Sequence, residues 1–302
     1  MKQDVAVGVA VALSASGQSG LPRAGSTRDS LGNLSVLSAH NTRSGGYVTV
    51  ARLDAVRELL SERDWAILRD VAALRLVTGR QLERLHFAEL ADASRPVVRR
   101  RVLGRLVGTR VVGALERRVG GVRAGSDGLI YCLDVAGQRL LKTARRGGPP
   151  GARFVRHVLA VAEVYVSLVE SARTGKLRLD VFQAEPLSWW PDGQGGLIKP
   201  DAYAAVSTPD HTDYWWIEVD LATENEPTLA RKLRTYFDFW QGGQLGPEGF
   251  MPRVLVTVPD SKRYSVLVRL ICQLPADSEK LFVVAVAEDV IPVIVRCLNQ
   301  SD

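Results

Sequence analysis

The chain has 302 residues, 46% hydrophobic and 24% charged, which is enough apolar material to bury a core in roughly two domains. Its net charge of +6 comes from 39 basic and 33 acidic side chains, which excludes a uniformly polybasic protein but leaves room for opposed local fields. Three widely spaced cysteines, Cys132, Cys272 and Cys297, exclude a disulfide framework and a four-cysteine zinc site. They fit a reducing cytoplasm.

No run of about 18 apolar residues is present, so no membrane span is expected. Val5 to Leu13 is too short for a secretory leader, and Asp4 stands where such a leader is basic. Ser14 to Gly46 is rich in Ser, Gly, Asn and Thr, so residues 1–52 read as a disordered arm. Arg outnumbers Lys by 32 to 7, the mark of a GC-rich genome, so Arg abundance alone says nothing about partners.

A first folded unit is expected over 53–142. Arg63 to Leu74 carries Trp65, Ile67, Leu68, Val71 and Leu74 at helical spacing. Thr78 and Gln81 have the form of a capping box that opens a second helix. Ser94 should cap a third helix, with Pro96 in its first turn. That helix interleaves Val98, Val102, Leu103 and Leu106 with Arg95, Arg99, Arg100, Arg101 and Arg105. Val111 to Arg118 and Leu129 to Leu133 read as strands around a Gly- and Arg-rich turn. Three helices and a hairpin predict an N-terminal winged helix-turn-helix that docks double-stranded DNA at a specific site. Its third helix would enter a groove, and Arg117, Arg118 and Arg123 of the wing would touch phosphates. Residues 143–153 form a basic Gly/Pro linker.

The second unit, 154–302, predicts an α/β sheet sandwich with element order αβββαβαβ. A helix over Phe154 to Thr174 precedes strands over Leu177–Leu187, Leu197–Ser207 and Asp213–Leu221. A helix from Pro227 to Gln241, a strand Arg253–Val258, a helix Ser261–Leu274 and a strand Leu281–Val286 follow. Lys199-Pro200-Asp201 opens one strand, and Glu218 and Asp220 stand two apart on the next, on one face. Clustered carboxylates in an apolar sheet are costly unless a cation joins them. Hard oxygen donors suit Mg²⁺ or Mn²⁺ and phosphodiester chemistry. No His-x-His pair exists among His40, His86, His157 and His211, and no tyrosine stands out as a nucleophile. The pairs Trp189-Trp190 and Trp215-Trp216 read as packing residues.

The segments IKPDAYAAV, YWWIEVDLATE and LARKLRTYFDFW, in that order behind a winged helix, resemble the PD-(D/E)XK restriction-endonuclease-like superfamily. Over about residues 60–290 they further resemble the replication-relaxation family of plasmids and conjugative elements, similar to endonuclease-like relaxases. The resemblance implies that Asp201 and Glu218 bind metal, with Asp220 in support. It implies nicking of DNA at an origin, with other transfer or replication proteins as partners and a homodimer as one oligomeric state. The superfamily lysine stands two after the second acid, where this chain has Asp220. Lys232 on the following helix is then the candidate, one turn before Tyr236. Glu224, Glu163 and Glu185 are further acids that could approach the site, but Glu224 reads more simply as favouring the N-terminus of the helix that Pro227 begins and Glu163 as an ordinary exposed helix acid. The alternatives are a catalytically degenerate DNA-binding accessory factor and a transcriptional regulator. Residues 94–156 carry a local net charge of +12, whereas 199–226 hold seven acids against Lys199. A basic reader followed by an acidic pocket is the expectation.

Overall fold

The structure, a computed structural model, describes residues 48–116, 129–143 and 151–300. It is a mixed α/β architecture. Helix α1 (Val50–Leu59) opens it, so Val50 to Arg52 are helical rather than part of the expected arm, whose remainder to Tyr47 lies outside the described residues. Thr49 caps α1 by accepting from the Arg52 amide.

Helix α2 (Glu62–Leu74) starts on a capping box between Ser61 and Asp64. After the short strand β1 (Val77–Thr78), Thr78 and Gln81 close the expected box on α3 (Gly79–His86). Helix α4 (Arg95–Gly108) begins as expected, but Ser94 makes no side-chain cap hydrogen bond. Its backbone is already helical (φ −87°, ψ −29°), whereas a capping residue normally sits in extended geometry. Strands β2 (Val112–Glu116) and β3 (Leu129–Leu133) form an antiparallel hairpin, and β1 pairs with the outer edge of β3. Helix α5 (Val135–Leu140) packs back on it. Ile67, Leu68, Val71, Leu82, Phe87, Leu103 and Leu106 form the buried centre of this unit.

Helix α6 (Ala152–Arg173) is shared by both halves. Val155, Val158 and Leu159 pack on Leu76 and Ile130, and Ala162 and Tyr165 join the N-terminal core. Val161, Val164 and Leu168 enter the core of the large sheet instead. Polar contacts reinforce the junction. The Gln81 amide donates to the Leu159 carbonyl (3.0 Å) and the Glu163 carboxylate (2.9 Å). Arg84 bridges Glu163 and Glu170, Arg173 donates to the carbonyls of Arg84 and Leu85, and the Tyr165 hydroxyl donates to Asp70 (3.1 Å).

The five-stranded sheet is built from β4 (Arg178–Ala184), then, after the small hairpin of β5 (Trp190–Pro191) and β6 (Leu197–Ile198), from β7 (Ala202–Ser207), β8 (Thr212–Val219), β9 (Arg253–Val258) and β10 (Phe282–Val286). Its strands lie side by side in chain order. The pairs β4/β7 and β7/β8 are antiparallel, while β8/β9 and β9/β10 are parallel. The single strand expected over 197–207 is therefore two, because Pro200 cannot donate to a ladder and interrupts it. Helices α7 (Glu226–Gln241), α8 (Ser261–Cys272) and α9 (Ser278–Leu281) and the terminal α10 (Val290–Asn299) complete the unit. Neither α1 nor α10 was anticipated.

Trp215 and Trp216 are both fully buried and face opposite sides of the sheet. Trp215 packs with α6 and α10, and Trp216 with Tyr236 and Phe239 of α7. The expected packing role holds for this pair. No helix among the described residues is long and apolar enough to cross a membrane.

Candidate functional site

Ala202 on β7 pairs with Ile217 on β8, so Asp201, one residue before, and Glu218, one residue after, extend the same register. The hairpin thus sets the two carboxylates side by side at the end of the sheet. Asp201 is 7% exposed and Glu218 3%. Both line a cavity of about 510 Å³ closed by the start of α6, the loop after β8 and one face of α7.

Each acid meets a basic side chain. The His157 imidazole lies 3.0 Å from Asp201, and the Val219 amide donates to the other Asp201 oxygen at 2.7 Å. The Lys232 ammonium pairs with Glu218, and the buried Tyr236 hydroxyl donates to Glu218 Oε1. Helical spacing on α7 puts Lys232 and Tyr236 one turn apart on the cavity side, as expected. Burial, together with the neighbouring Asp201 charge, pushes the Glu218 carboxyl up to about 8, although Lys232 pulls the other way. Burial also acts against ionised Asp201, but His157, Lys232 and the Val219 amide outweigh it and hold that carboxyl below its usual range. The hydrogen bond to Asp201 raises His157 against its own burial. Burial and the Glu218 charge push the Tyr236 phenol well above its ordinary range, so it is a proton donor and a poor nucleophile.

Asp220 lines the same cavity but sits past the end of β8. Arg263 of α8 grips its carboxylate, which also accepts from the Ala222 amide (2.9 Å). Arg263 further donates to the Glu224 carbonyl at 2.8 Å. Glu218 and Asp220 thus line one cavity, as their two-residue spacing implies, but Asp220 is paired with Arg263 and Glu218 with Lys232. Among the described residues, no three His, Cys, Asp or Glu side chains converge as a metal-holding group. Glu224 does line the cavity, 4.0 Å from Arg153. Glu163 instead pairs with Arg84, and Glu185 with Arg75 at 2.8 Å. Nor is the cavity simply acidic, since Arg153, Arg156, His157 and Lys232 share its lining.

The arginines expected to face DNA divide into two groups. Arg99 is 3% exposed and lies 2.9 Å from Glu83. Arg105 donates to both oxygens of buried Asp64 at 2.7 Å, and Arg95 pairs with Asp92 and the carbonyls of Ala88 and Leu90. Arg100 and Arg101 are exposed, on an outer face of α4 shared with Val97, Gly104 and Gly108. Arg117, Arg118 and Arg123 lie outside the described residues.

The replication-relaxation family model matches residues 68–254, from the second helix of the N-terminal unit to the fourth strand of the large sheet. The chain belongs to the replication-relaxation family. No curated protein and no solved structure matches it. In this replication-relaxation protein the matched span includes Asp201, Glu218 and Lys232, and also His157 and Tyr236. Sequence reasoning did not select His157, Arg153, Arg156 or Arg263. Their only signal was position, near the start of the helix before the three strands and on the helix after the fourth.

Proposed function

We propose that this replication-relaxation protein binds double-stranded DNA at a specific site of a plasmid or conjugative element and nicks one strand there for replication or transfer. One observation carries the reading: two buried carboxylates from adjacent strands and a lysine from the next helix meet in one cavity. That grouping supports a PD-(D/E)XK-like nuclease core whose lysine has moved from the strand position of Asp220 to α7. The three helices and hairpin before it support a winged helix, with Arg100 and Arg101 as the available readers on α4. Phosphate contacts by these side chains would make binding salt-sensitive.

The donor chemistry suits Mg²⁺ or Mn²⁺ held by Asp201 and Glu218, because Mg²⁺ often takes one or two carboxylates and keeps waters and substrate phosphate oxygens. Bound there, the ion would offset the like charges of the two acids and supply Lewis-acid stabilisation of a phosphate. Asp220 would support the site from outside, held by Arg263. Lys232 spends one of its three donors on Glu218 and has others to stabilise charge developing on a phosphate oxygen. Tyr236 fixes the rotamer of Glu218, and His157 steadies Asp201.

The test is incubation of supercoiled plasmid carrying the element's own origin with the protein and Mn²⁺. Open circles are expected with the wild type and not with Asp201→Asn or Glu218→Gln, both of which should still shift the origin duplex in a gel. Equal nicking by all three proteins would remove the reading. A second reading is favoured by one observation, that each acid already has its own basic partner in the protein, His157 or Lys232: a non-cleaving replication or transfer accessory factor. Origin binding without open circles from the wild type would support it over the first.

A further inference from the structure

We infer that the cavity takes an unpaired DNA strand, and that Arg153 and Arg156 at its mouth hold the phosphates flanking the one lowered to Asp201 and Glu218. The inference rests on the nuclease reading of the site and narrows its substrate to single-stranded DNA.

Depth is the first argument. Asp201, Glu218 and Asp220 are 7%, 3% and 8% exposed, so the acids form a floor and not a surface. A duplex can present a phosphate to such a recess only with its bases still stacked and paired outside it. A single strand can lower one into it, because its backbone turns freely and its bases need not stay stacked. The cavity volume of about 510 Å³ lies within the range of small-ligand pockets and leaves room for a single nucleotide.

The arrangement of charge is the second argument. Arg153 keeps 66% of its side chain exposed, and Arg156 is exposed on the same first turns of α6. Lys232 and His157 stand further in, beside the acids. The charge of Asp220 is matched by Arg263. Glu224 is the acid near the mouth, 4.0 Å from Arg153. An incoming polyanion therefore meets Arg153 and Arg156, with Glu224 beside them, before it reaches Asp201 and Glu218, much as in grooves that track single strands. Apolar Phe154, Leu221, Leu229 and Leu233 line the walls, and these suit an unstacked base better than a hydrated duplex backbone.

The experiment uses the full chain in EDTA, so that no cleavage occurs, and reads fluorescence anisotropy. Its probes are a labelled 12-nucleotide single strand of mixed sequence, the blunt duplex of that sequence, and the matching RNA strand. Arg153→Ala/Arg156→Ala should weaken single-stranded DNA binding at least tenfold and leave duplex binding within about twofold. Arg100→Ala/Arg101→Ala should do the reverse. Circular dichroism of both variants should overlay on the wild type, since all four side chains are exposed. Unchanged single-strand affinity in the Arg153/Arg156 variant, or equal losses for strand and duplex, would overturn the inference. RNA bound as tightly as DNA would overturn the choice of DNA. Because no metal is present, a protein that fails to nick plasmid but shows this split loses the nuclease reading alone. One that nicks without the split loses the strand assignment alone.

Discussion

At the scale of single residues, the pocket is a set of titrating groups whose shifts have opposite consequences. A carboxyl raised as Glu218 is keeps its proton in the folded state over a range where the unfolded chain releases it. Its contribution is therefore complete below about pH 4.5 and declines as the pH rises to about 8. His157, raised by Asp201, contributes below its unfolded value and loses that contribution as the pH climbs through its folded value. Asp201 is lowered, so its contribution is present above about pH 4 and lost in stronger acid. The melting temperature should therefore fall between pH 5 and 9. The fall should be shallower, by about 5 °C, in Glu218→Gln, which cannot ionise. Thermal unfolding followed by circular dichroism at several pH values checks this, and parallel curves would refute it. The arginines of α4 allow a second residue-level comparison. Arg99→Ala strands Glu83 without its buried partner and should cost about 3 kcal/mol in urea unfolding. Arg101→Ala should change stability by less than about 0.5 kcal/mol but lower the salt slope of duplex binding by about 1. Loss of duplex binding by the stable Arg99→Ala fold, with none from Arg101→Ala, would reverse the assignment. Asp201 and Glu218 stood out in the sequence because adjacent strands can bring such acids together, and Lys232 only through the family resemblance; the three line one cavity. His157 and Arg263 did not, since they reach the site from helices 44 residues before Asp201 and 43 residues after Asp220, respectively.

At the scale of elements, two helical glycines of the N-terminal unit have opposite surroundings. A methyl group at Gly104 on α4 would meet nothing within 4 Å. One at Gly137 on α5 would fall 2.2 Å from the Val111 carbonyl oxygen. Gly104→Ala should therefore stabilise the protein by about 0.5–1 kcal/mol, the helix-propensity gain alone. Gly137→Ala should destabilise it by about 2 kcal/mol or more, because α5 must lift from the β2–β3 hairpin. Urea titration of both variants decides it, and equal shifts would mean that the close approach at α5 is not structurally required. Most elements could be read from hydrophobic period and caps, as the Thr78–Gln81 box shows. The exceptions have physical causes. Pro200 divides one apolar run into β6 and β7, and α1 has too few buried positions, Leu53 and Val56, to make a periodic stripe. Strand β8 ends one residue before Asp220, yet the Asp220 amide still donates to the Thr257 carbonyl of β9 and its side chain lines the cavity of Glu218.

At the scale of the molecule, α6 ties the N-terminal unit to the sheet. Composition marks residues 143–153 as a linker between two units, but nothing in the sequence pairs Gln81, Arg84 and Arg173 across α3 and α6, because side chains about 80 to 90 residues apart leave no local pattern. Because the two halves share buried apolar contacts and partly exposed ion pairs along this helix, the chain should unfold in a single transition. Arg84→Ala/Arg173→Ala should lower stability by about 2 kcal/mol and separate the transition in the calorimeter into two. A single, unshifted transition would show the halves to be held by apolar packing alone. The chain-order sheet has a further consequence, for synthesis on the ribosome. Every strand from β8 onward pairs with the strand made just before it, and β7 reaches back only past the small β5–β6 hairpin to β4, so the sheet can assemble as it emerges, without waiting for distant chain. The β7–β8 hairpin can set Asp201 beside Glu218 before all of α7 has emerged. Until Lys232 arrives, the nascent hairpin carries two adjacent acids without their lysine, and helix α7 docks onto a site that already attracts its charge.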